Sequence, residues 1–346
     1  MKRSSVVVII VLLLLTGASV FVYRSKSKMS TVDGDARNFS YKDTAAITKI
    51  FIADREGDQS TLERTPKGWI VNGKFHCRDE AILNLLEVIK HVEVKMPVQQ
   101  NARESTIKFM ASTAVKIEIY AGEELVRQYY VGHETLDSEG SFMLLTDVST
   151  GKNYPDPYVC FIPGFTGFLQ PRYIAKENEW RDRIVLNYIP PQIRQIKVQH
   201  YDAPADSSFT VELLNTTTFK LKNGKGQELP FDESRMKQYL SYYKDMSYEA
   251  LITGFNKRLQ DSLATQSPFT VISVTTTDFK TSEYKLYRKQ YLGDHGPETG
   301  IKYNYDPDRL YMRFDQDKEW ALAQYFVFGK LLMSPNYFMA QASVKK

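Results

Sequence analysis

Residues 47–54 read ITKIFIAD and residues 193–200 read IRQIKVQH. Each is a short apolar β-like run, and each opens a matching series of segments, so the chain reads as two copies of one unit. STLERTPKGWIVNGKF follows the first run and SFTVELLNTTTFKLKNG the second. An amphipathic helix comes next in both. Ile82, Leu85, Leu86, Ile89 and Val92 form one apolar stripe, and Met236, Tyr239, Leu240, Tyr243 and Met246 repeat the spacing. Such a stripe needs a sheet to cover it. Asp79 and Asp232 stand near the two helix starts, where a carboxylate can cap free N–H groups.

The agreement continues through EVKMPV against YEALIT, and a shorter helix, ARESTIKFMAST against FNKRLQDSLATQ. The strand-like runs VKIEIYA and LVRQYYVG then stand against FTVISVTT and SEYKLYRKQ, and a late strand, PYVCFIPG, against RLYMRFDQ. GFLQPRY closes the first copy and GKLLMSPNY the second, so that Gly167, Leu169, Pro171 and Tyr173 answer Gly329, Leu332, Pro335 and Tyr337. Strands come in runs and do not alternate strictly with helices, which argues against a parallel βαβ sheet. The expected fold class is α+β, in two tandem homologous domains at 37–178 and 179–340 with mainly antiparallel sheets. The junction ENEWRDRIVLNYIPP carries Trp180, Ile184, Leu186 and Tyr188, which marks a packed connection and not a flexible linker.

Residues 1–28 are of another kind. Val6–Tyr23 is an uncharged run between basic flanks, Lys2 and Arg3 before it and Arg24, Lys26 and Lys28 after it. As a helix it spans about 27 Å, close to a hydrocarbon core of about 30 Å. Thr16-Gly17-Ala18 is a small-residue cleavage candidate of a signal peptide, but the apolar run continues through Val20, Phe21 and Val22. That continuation favours a retained N-terminal transmembrane helix. A short N-terminus and a large body place the body outside the cytoplasmic membrane, in the periplasm. The net charge of +4 comes from this segment, since its five basic residues leave the rest with 40 basic against 41 acidic residues. The body therefore lacks the basic excess that nucleic-acid binding needs.

The phrases NFSYKDTAAITKIFIADREG, GWIVNGKF, LLEVIKHVEVKMPV, YYVG, VCFIPGFTGFLQPRY and EWRDRIV resemble the Bacteroidota branch of an uncharacterised family, domain of unknown function 4340. The resemblance runs from about Asn38 onward and is strongest over Asn38–Tyr188. It implies an N-terminal membrane segment and a duplicated extracytoplasmic body. Through distant relatives that accompany gliding-type ABC transporter components, it also implies a link to a membrane complex. It supplies no catalytic residues.

The chemistry-bearing residues are sparse. His76, His91, His133, His200 and His295 include no helical i, i+4 pair, and HExxH is absent. His133 and His295 fall at matching places after Gly132 and Gly293, which a shared loop explains more simply than a paired site. GxSxG, GxGxxG and Walker motifs are absent. No cofactor and no metal are expected, and the balance is against an enzyme. Cys77 and Cys160 form one disulfide or remain two buried thiols.

Two phrases stand out as interaction candidates. In IPGFTGFLQPRY, Phe165, Phe168 and Arg172 offer aromatic and cationic anchors to a protein or glycan; alternatively the phenyl rings and Leu169 plug their own domain. In EWRDR, Arg181 and Arg183 offer a guanidinium fork to a carboxylate or phosphate, or pair with Glu179 and Asp182 as a clamp. The expected function is a membrane-anchored envelope protein that binds a membrane-protein partner. The alternative is a periplasmic small-ligand or glycan-binding module.

Overall fold

The computed structural model describes residues 35–215, 217–253, 257–291 and 303–339. The expected anchor at 1–28 lies outside them, as does His295. Among the described residues no helix is long and apolar enough to cross a membrane. The chain divides into two compact units between Asp182 and Arg183. This boundary lies within EWRDR, beyond the 178/179 junction read from the sequence. The reason is local: Trp180 is buried in the first core and its Nε1 donates to the Ile174 carbonyl at 2.7 Å. The Asp182 N–H likewise bonds the His76 carbonyl at 2.7 Å.

Unit 1 comprises β1 (Ile47–Ala53), β2 (Gln59–Thr65), β3 (Gly68–Val71), β4 (Phe75–His76), α1 (Asp79–His91), β5 (Glu93–Pro97) and α2 (Gln100–Thr113). There follow β6 (Val115–Ala121), β7 (Glu124–Glu134), β8 (Ser141–Asp147), β9 (Lys152–Asn153), β10 (Tyr158–Phe161) and the single turn α3 (Glu177–Trp180). Its sheet has the order β4-β3-β2-β1-β6-β7-β8-β10-β5, with β9 paired to β8.

Unit 2 comprises β11 (Ile184–Leu186), β12 (Ile193–His200), β13 (Phe209–Leu213), β14 (Phe219–Asn223), β15 (Glu228–Leu229), α4 (Glu233–Ser241), β16 (Met246–Ser247) and β17 (Ala250–Leu251). It continues with α5 (Lys257–Thr265), β18 (Thr270–Thr276), β19 (Thr281–Gln290), β20 (Tyr305–Phe314), β21 (Glu319–Gln324) and α6 (Tyr325–Phe328). Its main sheet runs β15-β14-β13-β12-β18-β19-β20-β21-β17, and β11 pairs with β16. Position by position this is the strand order of unit 1. All pairings among the described strands are antiparallel.

The two opening runs carry the same irregularity. Ile47, Ile50 and Ile52 are all buried, as are Ile193, Ile196 and Val198. Strict alternation would turn the first of each trio to the opposite face. A bulge between Ile47 and Lys49, and another between Ile193 and Gln195, absorbs the extra residue and returns the side chain to the core.

Each sheet is covered on both faces. In β8, Met143 and Leu145 enter the main core, whereas Leu144, with Phe142 packed beside it, joins Met110 of α2 in a smaller cluster. In unit 2, Leu310 and Met312 enter the main core, whereas Tyr311 packs with Leu263 of α5, Tyr287 and Trp320. Burial on both faces removes the polar–apolar alternation. That is why SFMLLTD and EWALAQ escape a pattern reading, and why the late-strand correspondence needs correcting. RLYMRF lies in β20, which holds the place of β8; the counterpart of β10 is β21.

The helix stripes are buried as expected, with one difference. Met236, Tyr239 and Leu240 belong to α4, but the helix ends at Ser241. Tyr243 and Met246 reach the same core from beyond it, Met246 just after the positive-φ Asp245 (55°). The caps also differ. Asp232 is the N-cap of α4 and its Oδ1 accepts the Arg235 N–H at 2.9 Å. Asp79 is the first helical residue of α1, whose N-cap Arg78 makes no side-chain cap. Both N-caps are instead tied to the end of their own unit. The Arg78 N–H bonds the Trp180 carbonyl at 2.8 Å, and the Asp232 N–H bonds the Phe338 carbonyl at 2.7 Å.

Cys77 and Cys160 are free, buried thiols in the structure. Cys77 follows β4 at one end of the sheet order, and Cys160 lies in β10 near the other end. A disulfide requires Cα atoms within roughly 7 Å.

Candidate interaction surfaces

Of the loop residues singled out by sequence, Phe165 and Arg172 are brought together. The Arg172 guanidinium lies 4.9 Å from the centre of the exposed Phe165 ring. Gly164 (φ 79°) and Gly167 (φ 132°) supply the turns that place this ring outside. Phe168 is half-buried. The residues that plug the domain are their neighbours: Leu169 and Tyr173 are buried, and the Leu169 N–H bonds Ser141 Oγ at 2.8 Å. The loop is thus held by Leu169 and Tyr173 and shows one aromatic–arginine pair.

Arg181 and Arg183 fall in different units. Arg181 stacks on the Phe75 ring at 3.5 Å, and its backbone bridges Cys77. The Arg183 carbonyl accepts the Tyr248 N–H at 3.0 Å. EWRDR therefore ends one unit and begins the next.

A larger aromatic surface in unit 2 was not singled out from sequence. Arg288 of β19 is its centre. The guanidinium lies 4.7 Å from the Phe269 ring and 5.2 Å from the Tyr305 ring, and its Nε donates to Asp202 Oδ2 at 3.0 Å. The Tyr201 N–H bonds the Phe269 carbonyl at 2.9 Å, and Phe269 packs on Tyr325 at 6.4 Å between ring centres. Tyr201 is 58 % exposed, Tyr305 50 % and Phe326 93 %. Beside them Lys289 pairs with Asp306 at 2.7 Å. Burial raises the Asp306 carboxyl, but its bonds to Lys289 and to the Asp308 and Arg309 N–H groups outweigh this and hold it low. Burial pushes the Tyr325 phenol up, so it stays neutral. The available signal was the run Tyr325-Phe326-Val327-Phe328. A single helical turn cannot bury four large apolar residues, and Phe328 is the one that enters the core.

Two further groupings bear on chemistry. The Asp54, Glu56 and Asp58 carboxylates of the β1–β2 turn lie within 4.8 Å of one another. Asp54 Oδ1 is already engaged by the N–H groups of Glu56, Gly57 and Asp58 at 2.9–3.0 Å, so turn formation accounts for it. His133 lies between the Phe109 ring (4.3 Å) and the Phe142 ring (5.0 Å), beside a cavity of about 540 Å³. Burial lowers the imidazole below its ordinary 6.5 and outweighs the opposing charge of Glu134.

Among known proteins, no family model, no curated protein and no solved structure matches this chain.

Proposed function

We propose that the chain is a non-catalytic binding protein of the cell envelope, anchored through residues 1–28 and accessory to a membrane complex. The observation that carries this reading is the aromatic surface of unit 2. Exposed apolar patches on soluble bodies mark binding faces, and tyrosine, phenylalanine and arginine are the usual anchors of protein interfaces. Phe326 lies almost wholly in solvent beside Tyr325, Tyr305 lies against the Arg288–Asp202 pair, and the exposed Tyr201 precedes Asp202 in the chain. The matched strand orders and matched bulges support descent of the two units from one duplicated unit. The phrase-level resemblance adds the envelope setting and the ABC-transporter association as expectations.

The test is mild cross-linking of the full-length protein in its native membranes, followed by affinity purification and mass spectrometry. A reproducible membrane-protein partner that is lost in Phe326→Ala and Tyr305→Ala is the expected result. Partners retained by both variants, or none beyond a control, would remove the reading. A glycan reading is favoured by one feature, the flat rings of Tyr201 and Tyr305 beside a charged hydrogen-bonding pair. Binding of isolated envelope glycan, abolished by the same variants, would select it.

A further inference from the structure

The β18–β19 hairpin turns through Thr277, Asp278, Phe279 and Lys280. Phe279 has φ 63° and is 70 % exposed. The other described non-glycine residues with positive φ are Asn72, Ser138, Asp245, Asp315, Gln316 and Asp317, all polar. The left-handed region suits glycine and tolerates asparagine and aspartate, but a bulky residue there is strained. In unit 1 the β6–β7 hairpin, whose turn is shorter, meets its own positive φ with a glycine, Gly122 at 61°. A phenyl ring therefore stands where glycine would relieve strain, and it is not buried in return. Strain of this kind points to use outside the fold.

The surroundings identify the use. The exposed Arg194 guanidinium lies 4.4 Å from the Phe279 ring, and among the described residues no carboxylate pairs with it. Arg194 and Thr277 border a notch of about 180 Å³ whose walls include Pro190, Pro191, Ile193 and Leu214. A cavity of roughly 150 Å³ holds one benzene ring, so the notch fits one apolar side chain. The hairpin tip lies beyond Thr281, the start of β19, which is about 23 Å along the strand from Arg288, so it is separate from the aromatic surface.

We propose that Phe279, Arg194 and this notch form a docking site for an extended peptide segment of a partner protein. That segment carries a carboxylate for Arg194 beside one bulky apolar side chain for the notch. The unpaired guanidinium sets the charge, and the single-residue notch favours a peptide over a bilayer, which needs no pocket.

The test selects random short peptides, displayed on phage, against the purified full-length chain in detergent. Enriched peptides should place Asp or Glu close to Leu, Phe or Trp. Phe279→Gly should weaken their binding about tenfold or more while raising Tm, because glycine fits the turn. Arg194→Glu should lose the acidic peptides and accept versions with Lys in place of the acid. Phe326→Ala should leave peptide binding unchanged, which keeps this site distinct from the proposed function. Selection without an acidic–apolar consensus, or binding indifferent to Phe279→Gly, overturns the proposal. So does quenching of Phe279→Trp beyond the wild type by brominated lipid in anionic vesicles, which would assign the tip to the bilayer.

Discussion

Tyr129 and Tyr173 set their hydroxyls 3.1 Å apart in the interior of unit 1, each ring wholly buried and the two packed edge to face at 5.9 Å. Burial pushes both phenols up, so both remain neutral and one donates to the other. The bond joins the middle of the sheet to the strap that closes the unit.

Tyr129→Phe and Tyr173→Phe should each cost about 1–3 kcal/mol, because each leaves a buried hydroxyl without its partner. The double variant should cost less than the sum of the two. Urea unfolding of all four proteins checks this; strict additivity would mean that the hydroxyls are satisfied separately.

The two helix starts should respond unequally to loss of a carboxylate. Asp232→Ala removes a side-chain cap and should cost about 1 kcal/mol. Asp79→Ala removes only a first-turn charge and should cost about 0.5 kcal/mol or less. Equal losses in thermal unfolding would contradict the cap assignment.

The thiols should be inert in the native protein. Burial, with a smaller contribution from Asp79, pushes the Cys77 thiol up to about 12, and burial alone raises Cys160 well above its ordinary value. Iodoacetamide at neutral pH should label neither until denaturant is added, and then both. A mass shift on reduction before labelling would reveal a disulfide and refute the assignment.

His133 should make unit 1 sensitive to mild acid. Its imidazole is held neutral in the fold, whereas the unfolded chain takes up a proton near 6.5. Stability is therefore full above about 6.5 and declines as the pH falls below it, until the folded imidazole protonates too. His133→Asn should flatten that decline. An unchanged pH profile of unfolding would show that the ring is effectively solvated.

The duplicated order was legible because each repeat opens with a distinctive phrase and a buried helix stripe. Ile47, Ile50 and Ile52 recur as Ile193, Ile196 and Val198, and this odd spacing is itself the trace of the bulge. Strands buried on both faces were not legible. Leu144 beside Leu145, and Trp320 beside Ala321, serve opposite faces, which hides any period. The loop 162–173 was found by its glycines and aromatics, yet the sequence could not tell Leu169, which is buried, from Phe165, which is not. The aromatic surface around Arg288 was missed because Asp202, Phe269, Arg288, Tyr305 and Phe326 lie far apart along the chain. Only the sheet order brings β19, β20 and the end of β21 side by side.

The tie from Arg78 to Trp180, and its twin from Asp232 to Phe338, also bears on the order in which native contacts can form. Each bond joins the start of a helix to a residue about 100 positions later in its own unit. Contacts of such long sequence separation form late and slow folding. During synthesis at about 5–20 residues per second, the first bond waits for Trp180 to emerge and the second for Phe338. Neither tie can close before its distant partner is present.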